Sequence, residues 1–102
     1  MKGVCDETRR RVRLTVWAYA YEIENDPLVD DATFDRECRE VDLAARTKRP
    51  DLDDWWIDNF DPSTGMWIRQ HPEIERAAAL YRRLKDAGGD EDDFDAMAAA
   101  LV

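Results

Sequence analysis

The residues able to do chemistry in this 102-residue chain are few and scattered. His71 is its only histidine, and it stands directly before Pro72, a placement that suits the start of a helix better than general acid–base work. No nucleophile lies near it in sequence. Ser63 falls in the turn-forming run Asp61-Pro62-Ser63-Thr64-Gly65, and the two cysteines, Cys5 and Cys38, are far from it. Zinc typically takes four ligands in two close pairs, which one histidine and two separated cysteines do not supply. Asp58, Asp61, Ser63 and Gly65 share some composition with a calcium loop. They lack its alternating acid spacing and its distal glutamate, so Asx turns account for them. The four glycines, Gly3, Gly65, Gly88 and Gly89, form no phosphate-cradling loop. The expectation is a non-enzymatic protein with no metal and no cofactor.

Binding chemistry has more material. The formal net charge is -9, from 24 acidic residues against 15 Lys+Arg. Residues 1–21 carry two acids and five bases, whereas 22–61 carry fourteen acids and five bases. The central stretch therefore holds as much net negative charge as the whole chain. Such a field repels nucleic acid and attracts basic surfaces, although a solvated acidic exterior also serves solubility alone. Trp55 and Trp56 follow Asp51, Asp53 and Asp54. Adjacent residues on a helix point about 100° apart, so one indole of the pair is expected to reach the surface. An aromatic rimmed by carboxylates suits a basic partner. The candidate partner-binding residues are Asp51, Asp53, Asp54, Trp55, Trp56, Asp58, Glu24 and Asp30. Arg9, Arg10, Arg11 and Arg13 are the one cationic cluster, read as the solvated side of the first helix pairing with acids of the second, so no direct nucleic-acid binding is expected.

These side chains must be positioned by helices. Val12, Val16, Tyr19, Ala20 and Ile23 recur at helical spacing and predict a helix over 7–24. Asn25-Asp26-Pro27 stops it, because proline cannot continue the hydrogen-bond ladder. Asp30 or Asp31 caps a second helix over 31–45, with Phe34, Cys38, Val41 and Ala45 on one face. A short turn between two helices predicts an antiparallel hairpin spanning 6–45. A Trp-rich connector over 51–68 follows, opened by a short helical turn at Asp51. Pro72 at a first helical position begins a third long helix over 72–87, with Ile74, Ala77, Ala78, Tyr81 and Leu84 inward and Gly88-Gly89 at its end. Phe94, Met97 and Leu101 predict a short last helix over 91–101. No stretch alternates as a strand would. The fold class is all-α: one small helical bundle over 1–102, built on the N-terminal hairpin.

Length and composition agree with that size. At 11.9 kDa the chain holds one domain, and its ten aromatics, four of them Trp, give a single core bulk. The longest uncharged apolar-leaning run, Leu14 to Tyr21, is far shorter than the roughly 20 residues of a membrane span. The first residues carry no secretory pattern, and two cysteines make no disulfide framework, so a reduced cytoplasm is expected.

The stretch Tyr19-Ala20-Tyr21-Glu22-Ile23-Glu24-Asn25-Asp26-Pro27-Leu28-Val29-Asp30-Asp31-Ala32-Thr33-Phe34-Asp35-Arg36 resembles the N-terminal helical (Ia) domain of NAD-dependent DNA ligases. In that family a helix ending in Tyr-His precedes a proline-containing turn, and Asp-Ala-Glu-Tyr-Asp opens the next helix. The hairpin there holds the nicotinamide mononucleotide half of NAD while a separate domain is adenylated. By this resemblance the family's Tyr-His falls on Tyr21 and Glu22, its first aspartate on Asp31, its tyrosine on Phe34 and its second aspartate on Asp35. Glu22 in place of histidine sets a negative charge near the phosphate, and Phe34 lacks the tyrosine hydroxyl. Both changes weaken mononucleotide binding. The segment from Asn59 to Ile68, with His71-Pro72-Glu73, resembles small phage-encoded ligase-related proteins.

Together these readings order three expectations. The first is a non-enzymatic, phage-type interaction protein that covers a basic surface on a host protein, as an anti-CRISPR inhibitor of a nucleic-acid-binding defence complex would. The second is a remnant nicotinamide mononucleotide or NAD module using Tyr21, Glu22, Asp31, Phe34 and Asp35. The third is an accessory of a DNA ligase.

Overall fold

The computed structural model describes residues 6–86. Four α-helices and one 3-10 helix follow in order: α1 (Asp6–Glu22), α2 (Asp31–Arg39), α3 (Pro50–Asn59), the 3-10 helix (Met66–Gln70) and α4 (Ile74–Asp86). No strand occurs among the described residues, and the fold is an all-α bundle. Cys5, Gly88-Gly89 and the helix expected over 91–101 lie outside them.

α1 is the central element. Its largest packing partner is α4, followed by the 3-10 helix and α2. α1 and α2 pack together as the expected hairpin, to which α4 and the 3-10 helix add through α1. Two walls of α1 are buried as a result. Leu14, Ala18 and Tyr19 join Cys38, Trp56, Trp67, Ile68, Ala77 and Ala78 in the main core. Val16 meets Leu80 and Leu84 in a second cluster. Ile23, expected on the apolar face, is exposed because the helix has already ended at Glu22. Asn25 adopts a left-handed φ of 53°, which asparagine tolerates, and the Asp26 N–H turns back to the Ala20 carbonyl at 2.8 Å.

Asp30 is the cap of α2: its Oδ1 accepts the Thr33 N–H at 2.8 Å. This helix stops at Arg39, six residues before the expected end at Ala45. The reason is a competing set of partners for the backbone beyond it. Arg11 donates to the carbonyls of Asp42 (2.8 Å) and Ala45 (3.2 Å), and Glu7 accepts the Asp42 N–H at 3.2 Å. Asp42 also accepts the Ala44 N–H through its own side chain at 3.0 Å. Groups satisfied in this way have no need of a helical ladder.

The expected connector contains a full helix. Pro50 occupies the first turn of α3, with Asp51 and Asp53 beside the positive end of its dipole. Asp53 and Trp56, three residues apart, share its buried face at 1% and 2% exposure. Trp56 lies 4.9 Å from the rings of both Phe60 and Trp67. The Trp67 indole N–H reaches the Thr64 carbonyl at 2.7 Å. Helix α4 begins at Ile74, two residues after Pro72, because the Glu73 carbonyl accepts the first N–H groups, from Arg76 and Ala77. Leu80 joins the expected inward face, while Tyr81 is half-buried and donates to Asp26 at 2.6 Å.

At the centre lies a buried ion network. The Arg11 guanidinium donates to Glu7 Oε2 at 2.9 Å and to Asp53 Oδ1 at 2.8 Å. Asp53 also accepts the Thr47 N–H at 2.9 Å and its hydroxyl at 2.7 Å. Breaking a buried pair strands the surviving charge, so Asp53→Ala is expected to cost about 3–5 kcal/mol in urea unfolding. Asp54→Ala removes only the exposed contact to Arg46, and its expected cost is below about 1 kcal/mol. Equal effects of the two substitutions would contradict the network.

Candidate functional site

A cleft of about 320 Å³ opens where the C-terminal half of α1, the turn before α2, the first half of α2 and the loop before the 3-10 helix meet. Trp17, Tyr21 and Glu22 come from α1, and Asp31, Phe34 and Asp35 from α2. The Pro27–Val29 turn and Ser63 to Met66 complete the lining. Helical spacing explains the grouping, since Asp31, Phe34 and Asp35 step by three or four residues along one face. Gly65 closes the floor: a Cβ there would stand 3.4 Å from the Phe34 ring and 3.5 Å from Ala18. A second cavity, beside Arg11 and Trp56, measures about 60 Å³.

The cleft is aromatic and negative. Its lining holds three carboxylates and no lysine, arginine or histidine. Arg69 approaches Glu22 at 3.8 Å and donates to its backbone carbonyl at 3.0 Å. Asp31 and Asp35 form no ion pair within 4 Å among the described residues. Tyr21 and Met66 are exposed beside them, at 52% and 58%.

All five residues expected for a small ligand, Tyr21, Glu22, Asp31, Phe34 and Asp35, therefore line this one cleft. The residues expected for a partner do not form one surface. Asp53 and Trp56 are buried, because α3 turns that face onto Arg11 and the core. Asp51 is bound by Arg49 at 3.0 Å and Asp54 by Arg46 at 3.3 Å. Trp55 is half-buried, with its indole N–H donated to the Gln70 carbonyl at 3.1 Å. Asp58 is exposed. Glu24 is exposed and accepts the Tyr19 hydroxyl at 2.6 Å, and Asp30 is engaged as a helix cap. Trp17 and Met66 had no part in the sequence-based site. Met66 reaches the cleft through the Ser63–Gly65 turn, a tertiary placement without a local signal.

The arginine cluster also divides. Arg10 and Arg13 approach Glu37 of α2 at 3.6 and 3.7 Å, as expected of a solvated pairing. Arg11 departs from that expectation. It is 5% exposed, pairs with α3 as well as Glu7, and lies 5.8 Å over the Trp56 ring.

The remaining reactive groups have structural roles. Cys38 is a free, buried thiol, which burial pushes up to about 12, with nearby Asp35 adding to the effect. Asp61 accepts both the N–H and the hydroxyl of Ser63, at 2.9 and 2.7 Å, and lies below the usual carboxylate range for that reason. Among the described residues no group of three His, Cys, Asp or Glu side chains could hold a metal, and no helix is long and apolar enough to cross a membrane. No family model matches the chain, and neither curated proteins nor solved structures give a match.

His71 is buried against Trp55, ring centroids 4.8 Å apart, and its Nδ1 accepts the Glu73 N–H at 3.0 Å. Burial lowers it to about 4, with Glu73 pulling upward and Arg49 downward. The unfolded chain takes up this proton near pH 6.5 and the folded chain only near pH 4. Stability is therefore expected to fall by about 3 kcal/mol as pH drops through that window. The lowered carboxylates, Asp53 among them, lose their contribution only near and below pH 4. Urea unfolding from pH 7 to 4.5 checks this, and His71→Gln should flatten the curve.

Proposed function

We propose that this protein is a non-enzymatic interaction protein that covers a basic, nucleic-acid-binding surface on another protein. An inhibitor of a host defence complex, anti-CRISPR in type, is the concrete form. One observation carries the reading. Eight exposed carboxylates of the central stretch, Glu24, Asp30, Asp31, Asp35, Glu40, Asp42, Asp58 and Asp61, have no ion pair among the described residues. Their field is directed outward and steers a basic partner, while exposed Tyr21, Ile23, Ile57 and Met66 offer apolar contact. Direct nucleic-acid binding has less support, because Arg10, Arg11 and Arg13 already face acids.

Affinity capture from a host lysate, followed by association kinetics on the captured partner, tests this reading. Nucleic acid should displace the protein. The triple reversal Asp51→Lys, Asp54→Lys and Asp58→Lys should slow association about tenfold and flatten its salt dependence. Binding indifferent to that variant and to ionic strength would refute the reading.

A second reading, the remnant mononucleotide module, is favoured by the meeting of its five residues in one cleft. Calorimetry with nicotinamide mononucleotide and NAD at millimolar concentration tests it, and no heat would end it. A ligation assay with added protein serves the ligase-accessory variant of the same reading.

A further inference from the structure

We propose that the 320 Å³ cleft seats an arginine side chain from a basic segment of the partner protein, with Asp31 and Asp35 gripping the guanidinium and aromatic side chains covering its plane. This rests on the basic-partner reading above and adds to it the residue recognised and the place where it docks.

The chemistry of the lining selects the occupant. Trp17, Tyr21 and Phe34 present aromatic surface, and three carboxylates stand among them without a base. An anion entering here meets like charge from every carboxylate. A neutral apolar side chain would leave those carboxylates partly dehydrated and unpaired. A guanidinium answers both features at once: it is weakly hydrated, stacks on aromatic faces and forks onto carboxylates. An ammonium ion gives up water less readily and has no planar face, so lysine fits less well.

The charge balance leaves room for it. Glu22 is already approached by Arg69 at 3.8 Å, and Arg36, the chain neighbour of Asp35, pairs with Glu37 at 3.9 Å. Asp31 and Asp35 are thus the two carboxylates of the cleft without a partner among the described residues. The volume lies at the lower end of the range for small-molecule sites, which suits one long side chain better than a dinucleotide. Exposed Tyr21 and Met66 at the lining give the flanking peptide apolar surface to cover.

The test is a nitrogen-15 amide titration of the full chain with the peptide acetyl-Gly-Gly-Arg-Gly-Gly-amide, beside its lysine and citrulline counterparts. Citrulline keeps the shape of arginine and removes the charge. The expected result is saturable shifts confined to Tyr21, Asp31, Phe34, Asp35 and Gly65 and to the Trp17 indole, in the order arginine above lysine above citrulline. Asp31→Asn with Asp35→Asn should weaken the arginine peptide about tenfold or more. The single variant Asp35→Asn should show a smaller loss with unaltered thermal melting, which separates binding from folding. Shifts spread over the acidic surface, equal response to citrulline, or undiminished binding by the double variant would overturn the proposal. So would tighter binding of free arginine amide than of the peptide, or cleft shifts produced by nicotinamide mononucleotide. A captured partner that binds the double variant normally yet keeps its salt dependence would remove the cleft while leaving the basic-partner reading in place.

Discussion

The buried guanidinium of Arg11 is the constraint on which the arrangement of this bundle depends. A charge at that depth is tolerated only when its donors are met, and four acceptors meet these: Glu7 from its own helix, Asp53 from α3, and the carbonyls of Asp42 and Ala45, with the Trp56 face 5.8 Å away. Three segments far apart in sequence are thereby fixed to one point. Apolar packing brings α1 and α4 together, but it is indifferent to small shifts in register. The fork of Arg11 is not, because its hydrogen bonds lose strength within a few tenths of an ångström. Asp53 shows the balance in its own ionisation. Burial alone would raise it, yet the Thr47 N–H and hydroxyl, with Arg11 and Arg46, hold it below the usual carboxylate range.

The consequences spread from that point to the surface. With residues 40–47 tied to Arg11 and Asp53, α2 ends early and the chain turns toward α3. Arg49 then joins Asp51 of α3 to Glu73 ahead of α4, and both carboxylates lie below their usual range through that contact. Tyr81 and Lys85 of α4 hold Asp26 in the turn before α2. The cleft borders this second tie through Pro27. Its walls are short elements with packed inner faces, so its side chains stand on a scaffold fixed from behind.

Much of this was legible in the sequence where the signal is local. The periods of α1 and α4, the Asp30 or Asp31 cap and the stop at Asn25-Asp26-Pro27 each depend on a few neighbouring residues, and each appears near its expected place. Tyr21, Asp31, Phe34 and Asp35, grouped in the sequence only by the ligase resemblance, line one cleft. What was hidden is pairing at a distance. Nothing about Arg11 distinguishes it from Arg10 or Arg13 until Asp53, forty-two residues away, is seen against it. Asp53 sits between Asp51 and Asp54, which do face solvent, so composition assigns all three to one exterior. The helical step from Asp53 to Trp56 contained the missing cue: a residue that shares a face with a core tryptophan must itself point inward.

The same distinction bears on the proposed binding surface. The carboxylates of this chain fall into three kinds by what already neutralises them. Glu7 and Asp53 are consumed inside the bundle, and Glu22, Asp26, Glu37, Asp51, Asp54 and Glu73 are held by arginines or a lysine at its surface. Glu24, Asp30, Asp31, Asp35, Glu40, Asp42, Asp58, Asp61, Glu75 and Asp86 are paired with no base among the described residues. Paired charges largely cancel at distances beyond the pair, so the third kind dominates the field that an approaching macromolecule meets. Asp31 and Asp35 line the cleft, where aromatic walls lower the local dielectric and strengthen any ion pair that forms. Glu40 and Asp58 stand on open surface, where water screens them. In the proposed complex, long-range attraction is therefore a property of the acidic exterior as a whole, whereas the strength of the docked contact is concentrated at Asp31 and Asp35.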